Sequence, residues 1–278
     1  AGTPEFIARL HRKVQAAGRP LVNAGVSIHS LRAASAESIA ALLAQVGDAD
    51  VPIHIHVAEQ MQEVRDCVSA TGLRPIAWLA EHQKMDARWQ LVHATHTEQA
   101  EIDAVARSGA GIVICPSTEG NLGDGFADLP AWLSAGVPMA VGSDSHVSRQ
   151  WAEELRWLEY GQRLRLQQRN VAALPGHQPS TAARLLDQAI SSGAAAAGLK
   201  QWGLQPGARA DMVVLDMNTP GLLGIPQTHT LDALVFACNH AAIDEVYVAG
   251  KRQVSRGVHH EQSVIAENFK STMLELLR

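Results

Sequence analysis

Apolar residues along this chain follow two rhythms that take turns. Short β-type runs, LVNAGVSIHS (21–30), VPIHIHVAE (51–59), WQLVHATH (89–96), AGIVICPST (110–118) and VPMAVGSDS (137–145), are separated by segments with helical spacing. Short strands exchanging with amphipathic helices are the signature of a parallel sheet with crossover helices. Helices are predicted in TPEFIARLHRKVQAAG (3–18), SAESIAALLAQVG (35–47), MQEVRDCVSATG (61–72) and RPIAWLAEH (74–82). A further helix should be capped by Thr97, carry Glu98 in its first turn and stop at Gly109. Two longer patterns, SRQWAEELRWLEYGQRLRLQQRN (148–170) and TAARLLDQAISSGAAAAGL (181–199), predict helices, the second packed outside the sheet.

The last third changes character. LQPGARADMVVLD (204–216) sets a Pro-Gly turn before a short strand, and DEVYVAGKRQVSRG (244–257) reads as two strands joined at Ala249 and Gly250. An amphipathic helix, SVIAENFKSTMLELLR (263–278), should pack on the body of the protein. The division expected is residues 1–200 as a partial (β/α) barrel with metal-dependent hydrolase chemistry, and 201–278 as a small β part with a terminal helix.

Composition narrows the function classes. With 278 residues and 46% hydrophobic content the chain can bury one large core, or one core plus a small satellite domain. A net charge of -5 gives no basic footprint for nucleic acid, and no apolar run approaches the roughly 20 residues that span a bilayer. Neither nucleic acid nor membrane is an expected partner. Cys67, Cys115 and Cys238 are an odd number without CxxC spacing, and AGTPEFIARLHRK has no apolar signal core, so a cytoplasmic location is expected.

The chemistry concentrates where the β-type runs end. His56 and Glu59 close one run, His93 another and Asp144 a third. Side chains converging from the ends of several strands are how a TIM-type (β/α)8 barrel builds its active site. Catalytic zinc takes three His, Asp or Glu ligands, sometimes more, and leaves a position for water. His56 and Asp144 are the metal ligands of first choice, and Glu59 is the carboxylate placed to take a proton from water and pass it on. His54 shares a strand face with His56 two residues further back, as either a core histidine or an extra ligand. His96 and His146 read as supporting or loop residues. Only five barrel-type strands are visible where a closed barrel needs eight, so the chain is expected to be the later part of a longer protein lacking its N-terminal strands.

HVAE (56–59), LVHATH (91–96) and VGSDSH (141–146) resemble the amidohydrolase superfamily, in particular its deaminase branch. SIHSLRA (27–33), CPSTEGNLGDG (115–125) and EELRWLEYGQRL (153–164) are similar to its formimidoylglutamate deiminase group, and the C-terminal segments resemble the small β-sandwich part of such enzymes. The resemblance implies zinc-dependent deimination of N-formimino-L-glutamate to N-formyl-L-glutamate and ammonia, with iron or another transition metal as alternatives to zinc. It implies catalytic roles for Glu59, His93 and Asp144, with Asp144 also on the metal, and a homodimer. The superfamily also places an HxH motif on its first barrel strand; no segment here matches it, so two of four expected ligands are supplied.

A substrate with two carboxylates needs cationic partners. Arg32 suits a bidentate contact that lysine does not reproduce, and His29 at its strand end can donate to the same group. The stretch STEGNLGDG (117–125) is rich in turn formers and reads as a loop at the mouth of the site. Competing readings are a deaminase of guanine, cytosine or an adenosine derivative, and a non-catalytic remnant that binds no metal.

Overall fold

The computed structural model describes residues 4–19, 21–238 and 242–278, which form two compact units, 1–200 and 201–278. In the first, elements follow in the order α1 (Pro4–Ala17), β1 (Val26–Ser30), α2 (Ala36–Val46), β2 (Ile53–Val57), α3 (Met61–Thr71), α4 (Pro75–His82), β3 (Trp89–His93), α5 (Gln99–Ser108), β4 (Gly111–Ile114), α6 (Pro116–Leu122), α7 (Leu129–Ser134), β5 (Met139–Val141), α8 (Trp151–Leu166) and α9 (Thr181–Ala196). Thr3, where the first helix was predicted to begin, lies outside the described residues. The strands pair in parallel, each with its neighbour in sequence, in the order β1-β2-β3-β4-β5.

Apolar alternation sets which way each strand faces. In β2 the side chains of Ile53, Ile55 and Val57 are fully buried, while His54 and His56 face the other side and stay partly open. Trp89, Leu91, Ile112 and Met139 from the adjoining strands join that core with Ile76, Leu79 and Trp132 from α4 and α7. Ile55 is fully buried, so Ile55→Ala is expected to cost about 2–5 kcal/mol through lost transfer energy and the cavity left behind. A lower urea midpoint at unchanged slope would show it, and an unchanged midpoint would place Ile55 outside the stabilising core.

Helix boundaries follow local chemistry. Ser35 caps α2 by accepting from Ser38 N at 3.3 Å. The expected Thr97 cap is not the one formed. Glu98 caps α5 instead, in a reciprocal box with Glu101, because a carboxylate at each end satisfies two orphan amides at once. Gly109 ends the helix at φ 76°, as predicted.

The second unit has an antiparallel sheet, β6-β7-β8-β9, from β6 (Met212–Leu215), β7 (Ile243–Val248), β8 (Lys251–Ser255) and β9 (Val258–His259), together with α10 (Thr230–Phe236) and α11 (Gln262–Leu276). Ala249 and Gly250, both at positive φ, make the tight turn between β7 and β8. The packing expected of the last helix is not seen: α11 buries none of its residues, and Ile265 and Phe269 are exposed. Among the described residues no helix is long and apolar enough to cross a membrane.

Candidate active site

The strand ends of the first unit bring His56, Glu59, His93 and Asp144 together. The His56 and His93 rings stack 5.5 Å apart at 24°, with His29 on the far side of His56 at 5.5 Å. Nε2 of His93 lies 3.8 Å from Glu59 Oε1 and 4.0 Å from Asp144 Oδ2. His93 is paired in register with Val57, so regular alternation would turn its ring into the apolar core. Its φ of 73°, with Ala94 at 49°, breaks the strand geometry and accompanies the ring's placement beside His56. Ala58 and Asp144 are also at positive φ, 52° and 40°. Non-glycine residues in this region are uncommon and cluster at functional sites.

His56 and Glu59 are each held by a named partner. His56 Nδ1 sits 2.7 Å from the His29 carbonyl, an acceptor, so Nδ1 carries the proton and, in the neutral ring, Nε2 keeps its lone pair. Glu59 is fixed from behind by its own N–H, which donates to buried Glu63 at 2.9 Å. The Glu59 carboxylate accepts from Arg32 at 2.8 Å, a pair the sequence reading did not foresee. Arg32 is 37% exposed, which leaves donors of its fork open to solvent. His29 is exposed, with Nδ1 3.0 Å from Ser30 Oγ.

Of the stretch 117–125 read as a mouth loop, residues 117–122 belong instead to the helix α6, with Pro116 at its start and Gly123 behind it, and only 123–125 are loop. Its first turn reaches three ways. Ser117 donates from N and Oγ to Glu154, at 2.9 and 2.6 Å. Thr118 Oγ1 accepts from Ser145 N–H at 3.2 Å and lies 2.9 Å from the Ser145 hydroxyl, beside Asp144. Glu119 Oε1 is 3.3 Å from His93 Nδ1 and accepts from Cys115 N–H at 2.9 Å. Burial pulls the His93 imidazole down, but the bond to Glu119, with the charges of Glu119, Glu59 and Asp144, outweighs it and raises the pKa. Burial raises Glu119 and Glu154, against the hydrogen bonds each accepts. Glu119 was missed in the sequence because its surroundings read as turn formers; a carboxylate one helical turn past a strand end was the available signal.

Two other histidines do not join the cluster. His54 Nε2 donates to the Ala196 carbonyl at 2.9 Å, which ties β2 to the end of α9. His96 contributes its backbone carbonyl to Arg74 at 2.7 Å. A divalent metal fits the donor chemistry in part: His56 offers a free Nε2 on a ring held by the His29 carbonyl behind it, and Asp144 offers a carboxylate. Among the described residues no group of three or more His, Cys, Asp or Glu is arranged to hold a metal.

A parallel sheet with polar side chains converging at its strand ends defines the class, and sequence comparison agrees: residues 3–252 match the amidohydrolase family, to which the chain belongs. It is 44% identical over 273 residues to the formimidoylglutamate deiminase of Pseudomonas aeruginosa, covering 98% of this chain and 59% of that protein. It is 33% identical over 195 residues to the 5-methylthioadenosine/S-adenosylhomocysteine deaminase of Halobacterium salinarum, covering 70% of this chain and 44% of that one. The chain thus spans at most about three-fifths of these curated relatives. Among solved structures, an amidohydrolase from Brucella melitensis superposes with a TM-score of 0.92 at 39% identity, over 99% of this chain and 60% of the other. An adenosine deaminase from Xanthomonas campestris with bound zinc gives 0.84 at 24% identity, over 96% and 60%, a likeness of fold.

Proposed function

We propose that the protein carrying this chain hydrolyses N-formimino-L-glutamate to N-formyl-L-glutamate and ammonia. The observation that carries the reading is the meeting of His56, Glu59, His93 and Asp144 at neighbouring strand ends, on a chain similar along nearly its whole length to a formimidoylglutamate deiminase. In this reading the sheet is an arc of a (β/α)8 barrel, residues 1–200 are its hydrolase part, and the antiparallel sheet of residues 201–278 is a layer of a small β-sandwich. A cytoplasmic homodimer acting on a small molecule is the matching expectation.

His56 and Asp144 are the residues that would hold the divalent metal, zinc by preference. The metal supplies the Lewis acidity that makes water a nucleophile near neutral pH. Glu59, placed against Arg32 and facing His93, takes a proton from the attacking water and returns it to the departing nitrogen. His93 directs Nε2 between Glu59 and Asp144 and steadies the charge that develops on the tetrahedral intermediate, while Asp144 takes the second proton, from the hydroxyl the water has become, to the departing nitrogen. Water adds to the formimino carbon, the C–N bond to the terminal nitrogen breaks, and ammonia leaves. Ammonia release from N-formimino-L-glutamate, 5-methylthioadenosine and S-adenosylhomocysteine tests the assignment. Release from the first alone is expected; release only from a nucleoside would replace the substrate proposed here.

Arg32 and His29 are the proposed contacts for the substrate carboxylates. Arg32→Met should lower kcat/KM for N-formimino-L-glutamate about ten- to hundredfold more than for a formimino-alkylamine without carboxylates, as expected for a lost charge-assisted bond. Because Arg32 also holds Glu59, both substrates should lose some kcat. Equal losses for the two would assign Arg32 to Glu59 alone.

A further inference from the structure

His93 stands on a left-handed backbone, φ 73°, and is 1% exposed. A conformation of that kind persists only where the surroundings over-determine it. On one side of the ring, Nε2 faces Glu59 and Asp144 across gaps of 3.8 and 4.0 Å, too long for hydrogen bonds that would fix the ring. On the other side, Nδ1 meets Glu119 Oε1 at 3.3 Å. That oxygen is itself pinned by Cys115 N–H at 2.9 Å, and Glu119 is only 3% exposed. The helix under it is tied through Ser117 to Glu154, which is 2% exposed. The carboxylate therefore sits on a braced support, and the ring leans on it.

We infer that Glu119 is a positioning residue, which keeps the proton of His93 on Nδ1 and aims Nε2 at the reacting atoms. The inference builds on the proposed role of His93. The Glu119 oxygen that meets Nδ1 already serves as the acceptor for Cys115 N–H, so the ring nitrogen bonded to it is the donor. The opposite nitrogen is thereby committed to the side occupied by Glu59 and Asp144. Ring tautomers and orientations are set in this way by the bond the other nitrogen makes. Glu119 touches none of the reacting atoms in this arrangement and acts through His93.

Ring ¹⁵N spectra of the full protein that carries this chain test the inference, with the His93 signals assigned by their loss in His93→Asn. In the parent protein Nδ1 should show the shift of a protonated nitrogen. In Glu119→Ala at pH 8 it should move toward the unprotonated value, with kcat down roughly ten- to hundredfold, the range for residues that orient a functional group from behind, and KM within about threefold. Glu119→Gln keeps an oxygen at the same reach without the charge and should recover part of the loss. An unprotonated Nδ1 in the parent, or a signal unchanged in Glu119→Ala, overturns the inference. Should Glu119→Ala not fold, Glu119→Gln decides: a kcat drop at unchanged KM and Tm supports positioning, and an unchanged kcat overturns it. If N-formimino-L-glutamate is not turned over at all, the proposed substrate fails while the ring signal still decides the role of Glu119.

Discussion

Glu59→Gln is expected to lower kcat by roughly 100- to 10,000-fold, the usual scale for removing a general acid/base, while leaving metal content unchanged. The carboxamide keeps the size of the side chain and an oxygen for Arg32, now 2.8 Å from the carboxylate. It also leaves intact the bond from Glu59 N–H to the Glu63 carboxylate on α3. What it removes is the ability to take a proton from water and release it to the departing nitrogen. Metal analysis beside steady-state ammonia release separates this from a damaged site. Turnover within about threefold of the parent, at equal metal content, would take Glu59 out of the mechanism and leave the 3.8 Å gap to His93 without a catalytic meaning.

The parts of the site that were legible in the sequence share one property: each ends an apolar β-type run. His56, Glu59, His93 and Asp144 lie at or just beyond the ends of strands, and the structure brings all four together. What was not legible depends on departures from regular periodicity or on long-range pairing. Strict alternation places His93 with Val57 on the buried face, and only the left-handed turn of its own backbone gives it another direction. The Arg32–Glu59 pair joins residues 27 apart in sequence, beyond any spacing rule. In PSTEGNL the glycine and asparagine argue for a loop, yet Pro116 at the first helical position and Gly123 after the last are ordinary helix boundaries. Reading them as such would have placed Glu119 on a helix facing a strand end. Thr97 lost the cap to its neighbour for a comparable reason: the reciprocal Glu98–Glu101 box satisfies more backbone than one hydroxyl can.

His56→Ala should remove the metal and reduce turnover to near background, whereas His54→Ala should leave both close to the parent. The two histidines share one face of β2, and their partners separate them. His54 spends Nε2 on the Ala196 carbonyl at 2.9 Å, a bond that closes the sheet against α9 and turns that nitrogen away from a ligand role. His56 spends Nδ1 on the His29 carbonyl at 2.7 Å, which leaves Nε2 as a free donor pair on a ring that cannot rotate without breaking the bond. A metal-ligating histidine is held in this way, with the other nitrogen fixed by a carbonyl or carboxylate behind it. Asp144→Asn should behave like His56→Ala, because a neutral amide is a poorer ligand for a divalent cation such as zinc than a carboxylate. Metal-to-protein ratios after dialysis, measured for the three variants and the parent, test the assignment. Full metal in His56→Ala with loss in His54→Ala would exchange the roles of the two histidines, and the Ala196 bond would then have to open on loading.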